Sequence, residues 1–525
     1  LFWNPSVNQT SLANFVDYNA YSVVVDSDAD GYADANFYDR NVNGAAQYAH
    51  IIPDLSQTAF LAMGEYTFDG EANITPYFEM QYNRRKSFAN AGAYQVFPWV
   101  PFNNPYNPCN PAAAGGVDCG LAFDELMQNP NFAADFAAVY GVDPATAGVL
   151  VGPVGPIYVQ PVVAVRDDRT TVDVTIDQLR FVGGVRGDLP FLSFGTVDNW
   201  AFDAYVSSTS SEGESSRVGI RGSSRLGPGG TGDRLGYALG WYSSTGTPCQ
   251  NDSGEVLSDD VTLGCVPVNM FAPSLMDPVV GDFATQAERD YLFDSRDFLT
   301  KYKQTIGSAY MNGEIFPLPG GEALLGLGIE YRVDEIDSIP DEVAAEGLFF
   351  GFFADKGAVG EKDTKEFFAE VELPILAGVT GFQELTVNGS TRWTDDEYYG
   401  DAWTYSGKLA WRPIDSLLLR GTVGTSFRAP NMRENFLLGQ TGFQSLSDPC
   451  VVPDAAYDPI NGYNPANDNR PEEVLANCAA NGVDPTTFVN GGNQLYSMEI
   501  DGGGALDLKE ETSESFSAGL TWEQP

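Results

Sequence analysis

The chain has 525 residues, more than one ordinary domain needs, and 72 acidic against 28 basic residues give it a formal net charge of −44. That balance excludes nucleic acid, whose phosphates need a basic face, and disfavours an anionic lipid surface. Aromatics at 13% and apolar residues at 43% exclude a solvated acidic tail, while 56 Gly and 32 Pro point to many strands and many turns.

The start, Leu1-Phe2-Trp3-Asn4, has neither Met nor a basic and apolar leader. The end, Thr521 to Pro525, stops in what reads as a strand. Both ends read as cuts through a longer protein. Asp26-Ser27-Asp28-Ala29-Asp30-Gly31-Tyr32-Ala33-Asp34 matches the D-x-D-x-D-G start of a calcium loop. The carboxylates of Asp26, Asp28 and Asp30 would converge on one Ca²⁺, with the Tyr32 carbonyl and a water on Asp34 completing the set. Phe37 stands where an EF-hand has its bidentate Glu, so this is no EF-hand, although Asp39 can substitute. The competing reading is an acidic surface turn. If the loop is a site, its Ca²⁺ is structural and orders an external loop; no organic cofactor is expected.

No apolar run of about 18 residues occurs, so no transmembrane helix is expected, but barrel strands alternate and escape such a window. Period-two segments follow in chain order. Ile74, Pro76, Phe78, Met80 and Tyr82 oppose Thr75, Tyr77, Glu79, Gln81 and Asn83. Trp200, Phe202, Ala204 and Val206 oppose Ala201, Asp203, Tyr205 and Ser207. Leu385, Val387, Gly389, Thr391 and Trp393 oppose Glu384, Thr386, Asn388, Ser390 and Arg392. Leu417, Leu419, Gly421, Val423 and Phe427 oppose Leu418, Arg420, Thr422, Ser426 and Arg428.

One apolar and one polar face also fits a soluble sandwich. Two details favour a membrane barrel. The segments run about 10 to 14 residues, longer than most soluble strands. Tyr82, Trp200, Trp393, Trp411 and Trp522 sit near the ends of apolar faces, as an interfacial girdle requires.

Connections alternate in length. Short ones lie near 68–73, 187–198, 317–322, 374–382 and 412–416; long ones near 86–174, 208–300, 333–362 and 429–514. The brief link between Trp393 and Trp403 falls on the long side. Barrels of outer membranes have this asymmetry, with short periplasmic turns and long external loops.

The cysteines test the scheme. Cys109 with Cys119, Cys249 with Cys265, and Cys450 with Cys478 are three local pairs in Pro/Asn/Asp/Gly-rich stretches. They read as disulfides of an oxidising compartment. Zinc needs four close ligands, and the one histidine, His50, is far from all of them. All three pairs fall in long connections, hence on one side of the membrane. A soluble sandwich gives no reason for that parity. The scheme holds about eleven strands. An open sheet of that size would leave unpaired edges in lipid, so the complete protein must add strands.

Several residues are ambiguous. Glu212, Glu214, Asp334, Glu335 and Asp337 line a vestibule for cationic or metal-bearing cargo or are solvated loop charge, the latter favoured. Arg84, Arg85 and Lys86 anchor to lipopolysaccharide phosphates or are loop charge. Arg420 and Arg428 meet cargo or pack against an internal domain, the latter favoured. Phe97, Trp99, Phe102, Tyr106 and Tyr463 stack on sugars or pack the loops together. Pro319-Gly320-Gly321 is turn chemistry and no P-loop. His50 has no placed triad partner, and carboxylate pairs are too numerous to mark a glycosidase. Nothing indicates an enzyme.

Ser426-Phe427-Arg428-Ala429-Pro430-Asn431, continuing to Glu434 and Phe436, resembles the signature of TonB-dependent outer-membrane receptor barrels. Leu508-Lys509-Glu510-Glu511-Thr512-Ser513 is similar to the block that follows in that family, with Glu510 where the family has Pro. The stretch from Ile306 to Gly313, with Gly328-Ile329-Glu330-Tyr331-Arg332, resembles a family hairpin, and Phe181 to Leu189 another strand and turn. The resemblance spans residues 46–525, is strongest from 300 onward, and points to the large subfamily with cysteine-bearing external loops.

It implies an all-β transmembrane barrel of about 22 strands, about half of them in this segment. All of 1–525 is then barrel, with the N-terminal plug and the C-terminal strands outside it. The implied function is energy-coupled import from outside a Gram-negative cell to the periplasm. The implied partners are outer-membrane lipid, the inner-membrane TonB complex, and a small nutrient: a glycan, a peptide-like compound or a metal chelate. A surface barrel or adhesin with calcium-stapled loops and a passive porin are the alternatives. The substrate-binding residues stay unknown. The charge favours glycan or peptide-derived cargo over an anionic chelate unless a local basic patch overrides it.

Overall fold

The computed structural model describes residues 2–3, 15–16, 50–90, 94–114, 116, 159, 161, 163–222, 232–276, 280–458, 462–488 and 495–523. Eleven strands build one antiparallel sheet. They are β1 (Asp54–Glu65), β2 (Thr75–Asn90), β3 (Thr171–Asp188) and β4 (Asp198–Ile220); β5 (Phe293–Leu318), β6 (Gly321–Pro340), β7 (Ala358–Val379) and β8 (Phe382–Asp396); and β9 (Gly400–Ile414), β10 (Leu417–Arg428) and β11 (Glu511–Trp522). Each pairs with its neighbours in the chain, so β1 and β11 are the two edges.

Connection parity is as expected. Brief turns at 66–74, 189–197, 319–320, 380–381 and 415–416 alternate with 91–170, 221–292, 341–357, 397–399 and 429–510. Cys109, Cys249, Cys265, Cys450 and Cys478 all lie in the second group.

Register joins the alternating residues into one apolar face. Met80 stands opposite Phe181. Ile329 links Ala309 on one side to Phe367 on the other. Phe367 opposes Trp393, which opposes Trp403. Val387 opposes Leu409, Leu409 opposes Gly421, and Gly421 opposes Ala518. From Trp403 to Trp411 this face covers roughly 26 Å along β9 at about 3.3 Å per residue, enough to cross hydrocarbon when tilted.

Burial separates a membrane sheet from a soluble one. On the apolar face Ile329, Val206 and Val423 are 58%, 57% and 56% exposed. On the polar face Thr394, Thr364 and Asp396 are 1%, 2% and 3% exposed. A soluble sandwich buries the opposite set. Here the long connections fold back over the near end of the polar face, and the apolar face is left for lipid.

Strand length departs from expectation. β4 has 23 residues and β5 has 26. The reason is local composition. From Ser207 to Ser216 both faces of β4 lack apolar side chains, with Ser, Thr and Gly on one and Ser and Glu on the other, so no alternation marks the strand, yet its backbone pairs with β5 out to Ile220. The long connections are correspondingly shorter than 208–300 and 333–362.

The main hydrophobic core lies in the connections. Val96, Val163 and Val165 from 91–170 pack with Leu235, Leu239, Met270 and Phe283 from 221–292 and with Phe350 from 341–357. Short helices supply this cluster. In α1 (Arg234–Leu239), Asp233 accepts from Gly236 N at 2.9 Å, and Gly240 ends the helix at φ +92°. In α2 (Gln286–Leu292), Thr285 and Glu288 form a capping box. The Cys249–Cys265 disulfide closes the cluster.

A second knot sits in 429–510. Cys450 is bonded to Cys478. Beside it the buried Arg470 donates to Asp468 at 2.6 Å, to Cys450 O at 2.9 Å and to Pro485 O at 2.6 Å. Cys109 is disulfide-bonded as well; its expected partner, Cys119, lies outside the described residues.

The face assignment is tested by adjacent substitutions. Val387→Arg, on the apolar face, is expected to cost about 2–4 kcal/mol in lipid vesicles. Thr386→Arg, on the polar face, should cost far less. Urea unfolding of the refolded protein measures both, and equal costs would refute the assignment. The Arg470 guanidinium holds the Asp468 carboxyl well below the usual carboxylate range. A depressed acid stabilises fully above its unfolded value, near pH 4 for aspartate. Protease resistance of this knot should therefore be complete above about pH 4 and fade as the pH falls below it.

Candidate functional site at the loop-side mouth of the polar face

β10 ends where Ser426, Phe427 and Arg428 give way to Ala429-Pro430-Asn431. The Ser426 and Ser513 hydroxyls meet across β10 and β11 at 2.8 Å. Arg428 donates to both oxygens of Glu434, at 2.9 and 3.1 Å, and to Glu511 at 2.6 Å. Pro430 has no N–H to extend the ladder. Asn431 then caps α3 (Met432–Phe436): Glu434 N donates to its side chain at 2.9 Å, and its own N donates to the Glu434 carboxylate at 2.7 Å. Arg428 and Asn431 together hold the Glu434 carboxyl below its ordinary value.

The turn also grips its surroundings. Arg433 clamps both oxygens of Asp355, in connection 341–357, at 3.1 and 3.0 Å. Asn435 donates to Ala505 O at 3.1 Å, and Gly504 N donates to Leu437 O at 2.8 Å. Phe436 lies over Gly360 of β7, where a Cβ would meet its ring at 2.1 Å, and meets Tyr398 edge-on at 5.4 Å. Lys362 of β7 donates to Pro430 O at 2.9 Å and pairs with Asp396 of β8 at 3.2 Å. Both ions are buried, with side chains 6% and 2% exposed. The signature thus fastens four strands and two connections.

Beneath the turn lies a cavity of about 460 Å³, walled by Tyr302, Gln304, Arg332, Asp334, Lys362 and the turn itself. Asp334 accepts from Tyr302 at 2.5 Å and Gln304 at 2.8 Å and pairs with Arg332 at 3.0 Å. Such a chamber offers fixed donors and a carboxylate on the face that connections cover. It presents a binding surface and no nucleophile–base pair.

The structure divides the five acids weighed as a vestibule or as solvated charge. Asp334 lines the cavity. Glu212, Glu214, Glu335 and Asp337 fall on the other face, in register with apolar-face residues, because each is an odd number of residues from the polar set. There Glu212 pairs with Lys301 at 3.4 Å and Glu335 with Lys303 at 3.2 Å. These four therefore line no vestibule. Arg84 and Lys86 share that outer face, Arg84 meeting Asp177 at 3.5 Å, while Arg85 lies on the polar face. Arg420 is on the polar face, beside Gly519. Among the aromatics, Phe97 packs on Phe350 at 5.5 Å, the Trp99 carbonyl accepts from Trp241 at 2.5 Å, and Tyr463 donates to Asp468 at 2.8 Å. Phe97 and Tyr463 thus pack connections, while Tyr106 is exposed. Asp26, Asp28, Asp30, Tyr32 and Asp34 lie outside the described residues. Among the described residues no group of His, Cys, Asp and Glu is arranged to hold a metal ion.

Sequence reasoning missed Lys362, Asp396, Arg433 and Asp355. Their partners are distant in the chain, and only register brings them together.

A family model described as "TonB dependent receptor-like, beta-barrel" matches residues 162–525. A sequence search of curated proteins returns no match. Among solved structures, the chain is similar to the RagAB peptide importer in its closed-closed state, at 9% identity over 89% of this chain and 38% of that one, TM-score 0.37. It is similar to the siderophore receptor PirA from Acinetobacter baumannii, at 11% identity over 90% of this chain and 51% of that one, TM-score 0.29. It is also similar to a variant of the ferric enterobactin receptor of Pseudomonas aeruginosa in complex with enterobactin, at 11% identity over 89% of this chain and 52% of that one, TM-score 0.27. The chain spans about half the length of these structures or less.

Removing one member of the buried pair under the turn should be severe. Lys362→Met is expected to cost about 3–5 kcal/mol by stranding Asp396, and Lys362→Met with Asp396→Leu to recover most of it. Asn431→Ala should cost about 1 kcal/mol through the lost cap. Unfolding in vesicles measures all three; a single variant no worse than the double would contradict the burial of the pair.

Proposed function

Because this chain belongs to the TonB-dependent receptor β-barrel family, we propose that it is the barrel portion of an outer-membrane receptor that binds a scarce nutrient outside and imports it to the periplasm with energy from the TonB complex. The carrying observation is the inverted burial of the sheet: the apolar face is exposed in one continuous band, and the end of the polar face beside the long connections is covered by them. A lipid-facing wall around a polar lumen requires that pattern.

Two open edges fit the same reading. Unpaired backbone cannot face hydrocarbon, so further strands of the whole protein close the barrel beyond β1 and β11. An N-terminal plug fills it, and polar-face charges such as Arg420 pack against that plug. Placing the disulfide-bearing connections outside the cell matches an oxidising compartment. The calcium loop at Asp26–Asp34 belongs to the same proposal, as a structural Ca²⁺ site of an external segment. Catalysis has no part in it.

The reading predicts energy dependence. Native mass spectrometry of the whole receptor identifies a co-purified small molecule, and its labelled form is then offered to cells. Uptake is expected to require both this receptor and TonB, and to stop when the proton-motive force is collapsed. Uptake that persists without TonB, together with rapid swelling of liposomes carrying the protein, would replace the receptor by a passive porin.

A further inference from the structure

The apolar face of the sheet is not even. Across β3 to β6 it holds two adjoining hollows, of about 600 and 260 Å³, which share Ala204, Ala309 and Ile329. Register builds their floor from small residues. Gly183 opposes Val206, Val206 opposes Gly307, and Ala204 opposes Ala309. Larger side chains stand around it. Tyr331 lies opposite Gly307 and Ile329 opposite Ala309, with Phe367 beyond Ile329 on β7. Phe202 and Met311 close the end nearer the short turns. Val206, Ile329, Tyr331 and Phe367 are all exposed.

Gly307 shows that the hollow is kept open. A Cβ there would meet no atom within 4 Å, and its backbone lies outside the left-handed region. Neither conformation nor packing asks for glycine, and glycine weakens a strand interior. Gly184, Gly313 and Gly328 differ, because each lies under a ring from a neighbouring strand. A bare backbone facing open space on a lipid-facing wall leaves its contacts to a group from outside the chain. The opening has the length of one leaflet. From Met311 to Gly307 the floor runs about 13 Å at about 3.3 Å per residue, close to half of the roughly 30 Å hydrocarbon core. At its outer end the same face turns polar: Ser208 opposes Thr305, and Ser210 opposes Lys303. The charges beyond are already matched, Lys301 with Glu212 and Lys303 with Glu335, so hydrocarbon contact and not charge holds the occupant.

We infer that this hollow is a binding groove for one acyl chain of a lipid in the leaflet on the long-connection side. The chain lies on Gly183, Ala204, Gly307 and Ala309, flanked by Ile329 and Tyr331, and the lipid head group meets the hydroxyls of Ser208, Ser210 and Thr305. The groove sits directly beneath the polar extension of β4 and β5, so a seated lipid anchors that ribbon at the membrane surface. The inference rests on the lipid-facing wall and is independent of transport.

The test uses the whole receptor in detergent and native mass spectrometry with dimyristoyl phosphatidylcholine, and with glycerophosphocholine as the head group without chains. The lipid is expected to stay bound and the bare head group not. Gly307→Leu, which fills the groove, should lower lipid retention at least tenfold. Gly389→Leu, on the same face of β8 and away from both hollows, should leave it unchanged. Thermal unfolding identifies a variant that fails to fold, and Ala309→Leu then carries the test. In nanodiscs of chain-brominated phosphatidylcholine, the density map should concentrate bromine over Gly307 and Ala309. Bromine spread evenly around the wall, equal lipid retention by Gly307→Leu, head-group binding as strong as lipid binding, or a second copy of the chain seated over Gly307 would overturn the groove. Bromine absent from the whole apolar face would contradict the lipid-facing wall itself, a failure distinct from that of the groove.

Discussion

Backbone hydrogen bonding in hydrocarbon constrains everything else in this molecule. Lipid offers no partner to an N–H or C=O, so each must be satisfied by a neighbouring strand. That requirement produces the antiparallel ladder from β1 to β11. The ladder then fixes side-chain direction, because successive residues point to opposite faces. A chain with Val387, Leu409 and Ile329 on one parity and Thr386, Lys408 and Glu330 on the other cannot place its faces any other way without driving charge into lipid. Glycines serve the same ladder. Gly184 and Gly328 leave room for the rings of Tyr77 and Phe368 to lie across the neighbouring strand.

Beyond the membrane the constraint relaxes, and the structure changes character. β4 and β5 continue as a ribbon, and β4 carries polar residues on both of its faces. The connections, back in water, do what soluble chains do: they bury Val, Leu and Phe against one another, cap short helices, and tie themselves with disulfides. The signature turn stands at the boundary. Arg428, Asn431 and Glu434 end a membrane strand cleanly, while Arg433, Lys362 and Phe436 bind that end to the connections covering the polar face. Its residues are thus explained by architecture.

Much of this was legible in the sequence. Alternation at Ile74–Tyr82 and Leu385–Trp393 gave the two faces, and loop lengths with cysteine parity gave the two sides. Strand ends were not legible where β4 carries polar residues on both faces, since no hydrophobic period survives there. The acids Glu212, Glu214, Glu335 and Asp337 could not be assigned a face for a related reason: a charge in a loop-like stretch has no face until the register of its strand is known. Lys362 with Asp396, and Arg433 with Asp355, lie far apart in the chain, and no local pattern announces them. The core shared by Val96, Leu235 and Phe350 is likewise invisible to any window, because three separate connections build it.

A density map of the whole, natively purified protein in lipid nanodiscs is the most direct measurement. The expected map shows a closed barrel with lipid against Ile329, Val387 and Leu409, and a folded domain inside it touching the face that carries Thr394 and Asp396. A closed barrel with an empty, water-filled lumen would contradict active import. Lipid density against the Thr394 face would contradict the fold assignment itself.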